Sequence, residues 1–280
     1  MPVFRHHPPH ITTVTRFLPQ GSEVTAHAHD VHQIVYAGRG VLTVTTGAGS
    51  WVAPATRAIW IPAGTVHEHR AHGDTDLHTV GVPVDADPLG LDRPAVLAAG
   101  PLLRELIIAY SGPGSRRTPE ARRLLAVLLD QLRHAPLQAL HLPRPRDPRL
   151  AAVCAMLRED PADPRPLAAL GARAGASERT LARLFRADLG MTFPQWRTQL
   201  RLHHALVLLT RDDPALSVTA IAHRCGWASA SAFIDAFRRS FGHTPGAHRA
   251  LVGPATTPGT AAGRTRSRRR RSASPSATRS

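Results

Sequence analysis

The sequence predicts a two-domain α+β chain: an N-terminal antiparallel β-barrel followed by helices, then an all-α domain. Three observations carry this expectation. The hydrophobic period changes from strand-like to helix-like near residue 95, the chain turns from near-neutral to strongly basic, and its second half contains an internal duplication. At 280 residues it is long enough for two ordinary cores. No apolar run approaches the roughly 20 residues that span a bilayer. The opening MPVFRHHPPH has no apolar stretch that could serve as a signal-peptide core. A cytoplasmic protein without membrane association is expected. Cys154 and Cys225 lack a CxxC spacing, which argues against a disulfide framework and against a cysteine zinc site.

Residues 11–82, within a barrel expected over 11–92, carry the strand signals. VLTVT (41–45), RAIWI (57–61) and LHTVGV (77–82) are rich in β-branched and aromatic residues. GAGS, VAPAT and HGDTD punctuate them, a spacing that suits an antiparallel barrel or sandwich. Residues 83–92 form a turn-rich boundary. In 93–134, LLRELIIAY and ARRLLAVLLDQL recur at three- and four-residue spacing and predict helices. Their leucines, Leu103, Leu106, Leu124, Leu125, Leu128 and Leu129, with Ile107, exceed what one short helix buries. They extend the first core or form a dimer interface. Residues 135–146 read as a proline-rich linker, 147–251 as short helices with turns, and 252–280 as a disordered basic tail.

The charge follows these divisions. Residues 1–95 carry a net −2, 96–149 and 150–251 carry +5 each, and 252–280 carry +7, for a total of +15. A near-neutral front joined to a basic back suits a chain whose back half meets a polyanion.

The duplication lies in that basic half. LARLFRADLGMTFPQWR (181–197) aligns with FIDAFRRSFGHTPGAHR (233–249) at an offset of 52, and LAALGARAG (167–175) with VTAIAHRCG (218–226) at an offset of 51. Each copy reads helix, glycine turn, helix, which is helix-turn-helix geometry. Ser177 and Ser229 stand where an N-cap would start the second helix of each copy. In the first copy Leu181, Leu184, Phe185 and Leu189 share one face. Arg179, Thr180, Arg183 and Arg186 lie away from it. In the second copy Phe233, Ala236, Phe237 and Phe241 face inward, and Ser229, Ser231, Ala232, Asp235 and Arg238 face out. An apolar back with an arginine-bearing front suits the major groove, because Arg can bond guanine O6 and N7 together. Between the copies, QWRTQLRLHHALVLLTR keeps helical spacing and predicts a rigid strut of roughly 25 Å. A plain bundle with a solvated arginine face requires no such matched repeat.

On LAALGARAGASERTLARLFRADLG and IAHRCGWASASAFIDAFRRSFGHTP, residues 147–251 resemble the DNA-binding domain of AraC-type transcriptional regulators. That resemblance implies a tandem helix-turn-helix domain on double-stranded promoter DNA, a small-molecule effector, a homodimer, and contact with RNA polymerase. Asp235 departs from the pattern, since a positive or neutral polar residue often stands there.

The front half is similar to the cupin-like sensor barrels of many such regulators. Cupins read G-x5-H-x-H-x3-E-x6-G and later P-x-G-x2-H. Gly21, His27, His29 and Gly40 match the first motif, Gln33 replaces its glutamate, and Pro62, Gly64 and His67 match the second. The resemblance implies that His27, His29, Gln33 and His67 point into one barrel. Three neutral imidazoles and an oxygen could hold Zn²⁺, Ni²⁺, Fe²⁺ or Mn²⁺, although the glutamine removes a negative ligand. The same histidines could bond an organic effector or line a core. His32, His69, His72 and His78 are expected at the surface or the pocket rim. A metal-dependent cupin oxygenase or isomerase fused to a DNA-binding module is the alternative function. No second acid–base pair supports it, so no enzyme and no catalytic residue is expected.

Overall fold

The computed structural model describes residues 5–7, 13–114, 117–138, 141–211, 213 and 216–252. The basic tail expected beyond Val252 lies outside them, as do residues 11 and 12 at the start of the expected barrel. The strands are β1 (Arg5–His7), β2 (Val14–Leu18), β3 (Glu23–His29), β4 (His32–Ala37), β5 (Val41–Thr46), β6 (Gly49–Pro54), β7 (Arg57–Ile61), β8 (His67–His72), β9 (Thr75–Val82) and β10 (Ala95–Ala98). Helices α1 (Pro101–Ser111) and α2 (Pro119–His134) follow, then β11 (Leu137–Gln138) and β12 (His141–Pro143). The remainder is helical: α3 (Pro148–Glu159), α4 (Leu167–Arg173), α5 (Glu178–Leu189), α6 (Phe193–Leu209), α7 (Val218–Arg224), α8 (Ala230–Phe241) and α9 (Pro245–Val252).

The strands form two six-stranded sheets, ordered β1-β3-β8-β5-β6-β12 and β11-β10-β7-β4-β9-β2. Their ladders are antiparallel except for β1 on β3, which run parallel. Strand β4 is buried on both faces. Val35 and Ala37 join the apolar core between the sheets, while Ile34 and Tyr36 pack under the helices. Leu103, Leu106 and Ile107 of α1 and Leu128, Leu129 and Leu132 of α2 supply that cover. Most of the leucine surplus therefore extends the sensor core, and Leu124 and Leu125 lie half-buried against it.

Three strands lie in stretches read otherwise from the sequence. Residues 95–98, read as part of a helical segment, pair with β7, and residues 137–138 and 141–143, read as linker, pair with β10 and β6. The pairing of β12 with β6 depends on Gly49. Its φ is +152°, and a Cβ there would stand 2.5 Å from the Leu142 carbonyl oxygen, so only glycine lets β12 lie alongside. The pairing partner, rather than local composition, makes these residues strands.

The second half holds the two helix-turn-helix copies, α4–α5 and α7–α8. Ser177 Oγ accepts from the Thr180 amide and Ser229 Oγ from the Ala232 amide, so both expected N-caps form. The strut α6 is 17 residues long and buries Trp196, Leu200 and His203. The first copy has its own core, where Leu181, Phe185, Leu189 and Trp196 meet Leu150, Val153 and Leu157 of α3. The second copy does not. Phe233, Phe237, Ile221 and Leu206 belong to one apolar cluster with Val35, Leu42, Ile59 and Val96 of the sheets. Beside this cluster, the buried Arg57 guanidinium donates to the Ser240 carbonyl at 3.5 Å, near the C-terminal end of α8.

Candidate metal centre and nucleic-acid interface

His27 and His29 stand two apart on β3, so their side chains leave the same face of the sheet. On the neighbouring β8, His67 is the register partner of His27, just past an irregularity between Val24 and His27. The three rings gather closely, with centroids 4.9 Å apart for His27–His29, 4.3 Å for His27–His67 and 5.3 Å for His29–His67. One potential ligand atom from each lies within 4.8 Å of the others. All three are at most 5% exposed.

Backbone carbonyls orient two of these rings. His27 Nδ1–H donates to Thr25 O at 2.7 Å, and His67 Nδ1–H donates to Thr65 O at 2.8 Å. Each bond selects the tautomer whose Nε2 carries the lone pair, as metal-ligating histidines require. Gln33, on β4 of the other sheet, meets His29 through Nε2–Nε2 at 3.1 Å. Burial, with a smaller effect from His27 and His29, pushes His67 down to about 3, so the imidazole is neutral at pH 7. The adjoining cavity has a volume of about 40 Å³ and is lined by Arg16, His27, His29, Gln33 and His69 among others. That is room for an ion with a water or two, since one water needs roughly 10–15 Å³ on this scale. It is well short of the roughly 300 Å³ of an organic-ligand pocket.

The expectation for the other histidines needs correction. His69 is 3% exposed and lies within the cluster, its ring 5.1 Å from His67 and 5.5 Å from His27. The alternation of β8, buried at His67, His69 and Ala71 and exposed at Glu68 and Arg70, places it there. That alternation was the available signal. His32 and His78 are also buried: His32 stacks on Trp60, and His78 Nδ1 bonds the Ser111 hydroxyl at 2.9 Å. His72 is half-buried and bonds Thr43 Oγ1.

On α5, Arg179, Arg183 and Arg186 are exposed, and no ion pair among the described residues engages them. Thr180 is half-exposed, and its hydroxyl meets Ser177 Oγ at 2.9 Å. On α8, Ser229, Ser231, Ala232, Asp235 and Arg238 are all exposed while Phe233, Phe237 and Phe241 are buried behind them. Each second helix thus turns an apolar back to the protein and its candidate residues to solvent.

Comparison with known proteins bears on both halves of the chain. Residues 16–143 match the AraC-like ligand binding domain, and residues 170–250 match a helix-turn-helix domain. The chain is 35% identical over 228 residues to the HTH-type transcriptional regulator NimR of Escherichia coli, covering 79% of this chain and 80% of that protein. The chain belongs to the AraC-type family of helix-turn-helix transcriptional regulators. This regulator is also 38% identical over 104 residues to HTH-type transcriptional regulator RipA of Corynebacterium glutamicum, covering 37% of this chain and 30% of that one. Among solved structures, the DNA-binding domain of AdpA in complex with a target DNA is 39% identical, covers 37% of this chain and 91% of that one, and has a TM-score of 0.35. The regulator therefore pairs an N-terminal ligand-binding domain with a DNA-binding domain. Among its described residues no helix is long and apolar enough to cross a membrane.

Proposed function

We propose that the chain is a sequence-specific promoter-binding regulator, acting in the cytoplasm, whose sheet domain senses a metal or small molecule and tunes how the two helix-turn-helix motifs engage DNA. The observation that carries this reading is the shared apolar cluster. The buried residues of the second motif fall in one apolar cluster with residues of the sheets, and Arg57 of β7 donates to the Ser240 carbonyl of α8, so a change in the sheets has a route to the reader.

Arg179, Thr180, Arg183 and Arg186 read one major-groove segment. Ser229, Ser231, Ala232, Asp235 and Arg238 read a second, about one turn away on the same face of the duplex. The arginine-rich first helix favours guanine. The smaller residues of the second favour thymine methyls, with Asp235 an acceptor for a cytosine amine. His27, His29 and His67, with Gln33 beside them, hold a divalent metal such as Zn²⁺, Ni²⁺, Fe²⁺ or Mn²⁺. The neutral imidazoles fit the group, and the bound ion would cross-link β3 to β8. The regulator is not an enzyme on this reading, because no acid–base pair accompanies the histidines. A homodimer through α1 and α2, where Leu102 and Val127 are exposed, and contact with RNA polymerase complete it.

Footprinting of the full chain on its own upstream region tests the reading. Two protected groove segments are expected, and Arg183→Ala should cost about 1–3 kcal/mol with relaxed preference in the first segment only. One protected segment, or a loss spread evenly over all sequences, would sink it.

A further inference from the structure

The imidazole of His69 has no assigned work, although it sits in the histidine cavity. It is 3% exposed, and neither Nδ1 nor Nε2 has a hydrogen-bond partner. A buried polar group left without a partner is costly. A ligand in the cavity relieves that cost.

We propose that His69, rather than Gln33, completes the coordination of the metal held by His27, His29 and His67, and that Gln33 is a positioning residue for His29. The proposal rests on the reading that this cavity takes a divalent metal. Ring spacing supports it. With Zn–N bonds of roughly 2.0–2.1 Å, four imidazoles arranged tetrahedrally place their ring centres about 5 Å apart. The rings stand 4.9, 4.3 and 5.3 Å apart among His27, His29 and His67, whose ligand atoms already lie within 4.8 Å of one another, and His69 stands 5.5 Å from His27 and 5.1 Å from His67, so its imidazole joins that set by a side-chain shift when the ion binds. Gln33, by contrast, already has its terminal amide on His29 Nε2 at 3.1 Å. Ligation of a metal through His29 Nδ1 requires the proton on Nε2. The amide oxygen accepts that proton once the amide is turned over, an exchange of two ends of nearly equal size. Gln33 then does for His29 what the Thr25 and Thr65 carbonyls do for His27 and His67.

The donor set also selects the ion. Among the described residues that line the cavity there is no carboxylate, and Arg16 is one of them. A dication there keeps its full charge beside a cation, which lowers affinity and suits reversible occupancy. Four imidazoles favour Zn²⁺ and its neighbours over Mg²⁺, Ca²⁺ or Mn²⁺.

The test uses the full chain, stripped with chelator and titrated with Zn²⁺ against a chromophoric chelator, and separately with Co²⁺ followed by its visible absorption. Wild type should bind one Zn²⁺ and give the intense Co²⁺ bands of four-coordinate geometry. His69→Phe should weaken Zn²⁺ binding more than about 100-fold, beyond the 10–100-fold typical of lost outer partners, and should lose the four-coordinate bands. Gln33→Ala should weaken binding within that 10–100-fold range and keep the bands. Stripped His69→Phe should unfold at no lower urea concentration than stripped wild type, because a phenyl ring needs no partner. Unchanged Zn²⁺ binding and Co²⁺ bands in His69→Phe would overturn the proposal. So would loss of the bands in Gln33→Ala, or a lowered urea midpoint for stripped His69→Phe. Failure of wild type to bind Zn²⁺ or Co²⁺ would instead bring down the metal reading itself.

Discussion

The duplicated motif contains its own control experiment. Gly175 and Gly226 occupy the same place in the two turns, and both are left-handed, with φ of +66° and +76°. Their surroundings differ. A Cβ on Gly175 would meet nothing within 4 Å, whereas one on Gly226 would lie 2.8 Å from Ala162 Cα and 2.7 Å from Arg201 Nη2. Neither neighbour can give way easily. Ala162 contributes backbone, and Arg201 is anchored by donating Nε–H to the Pro161 carbonyl at 3.0 Å. A left-handed L-residue costs about 1–2 kcal/mol. The loss of unfolded-chain freedom on replacing glycine returns about 0.4–1 kcal/mol. Gly175→Ala should therefore cost about 1 kcal/mol. Gly226→Ala adds an overpacking cost of about 1–3 kcal/mol, for a total of about 2–4 kcal/mol. The loop at 161–163 joins α3, which packs against the first motif, to α4, so relieving the clash also shifts one motif against the other. Urea unfolding gives the stability difference, and footprinting gives the consequence: Gly226→Ala should lose operator affinity across both segments while Gly175→Ala keeps both. Equal stability losses in the two variants, or a larger loss in Gly175→Ala, would refute the packing argument.

Two further outcomes are expected. Ser177→Ala and Ser229→Ala should each lower stability by about 1 kcal/mol, because each removes the acceptor for an otherwise unpaired helix amide; thermal melts that match wild type would show that the caps contribute nothing. The metal-free protein should be acid-labile. Burial holds His67, His203 and His248 down to about 3, below their ordinary 6.5, so the unfolded chain takes up protons first and stability falls as pH drops below 6.5. At pH 5.5 the loss approaches about 1.4 kcal/mol for each histidine, a ceiling set by the unfolded value because the folded value lies far lower. Urea midpoints that stay level between pH 7 and 5.5 would contradict this.

Legibility in the sequence followed the range of the interaction. The turn glycines, the capping serines and the inward phenylalanines answer to neighbours within a few residues, and the repeat displays them twice. The resemblance of the H-x-H stretch and the later Pro62–His67 stretch to the cupin motifs implied that His27, His29 and His67 converge, and they do. His69 was legible in principle, since His67-x-His69 obeys the same two-residue alternation as His27-x-His29. Strand β12 was not. Its three residues sit in a proline-rich stretch, and they become a strand only because Gly49 leaves space beside β6. The packing of the second motif onto the sheets was equally hidden, because Phe233 and Phe237 need an apolar neighbour but do not specify which one.

That packing makes the two readers unequal. The first has a core of its own, which includes only Leu142 among the buried residues of the sheet domain. The second shares its core with both sheets and has the Arg57 contact near the end of its second helix. A ligand can shift an equilibrium only by its differential affinity for the two states. A metal that draws β3 and β8 together acts on the sheets, and the sheets share an apolar core with the second reader but, Leu142 apart, not with the first. The response to the sensor should therefore appear as a change in how α8 engages its segment, with the contacts of α5 largely retained. Protection of the second groove segment that changes with occupancy of the cavity, beside steady protection of the first, is the pattern this architecture requires.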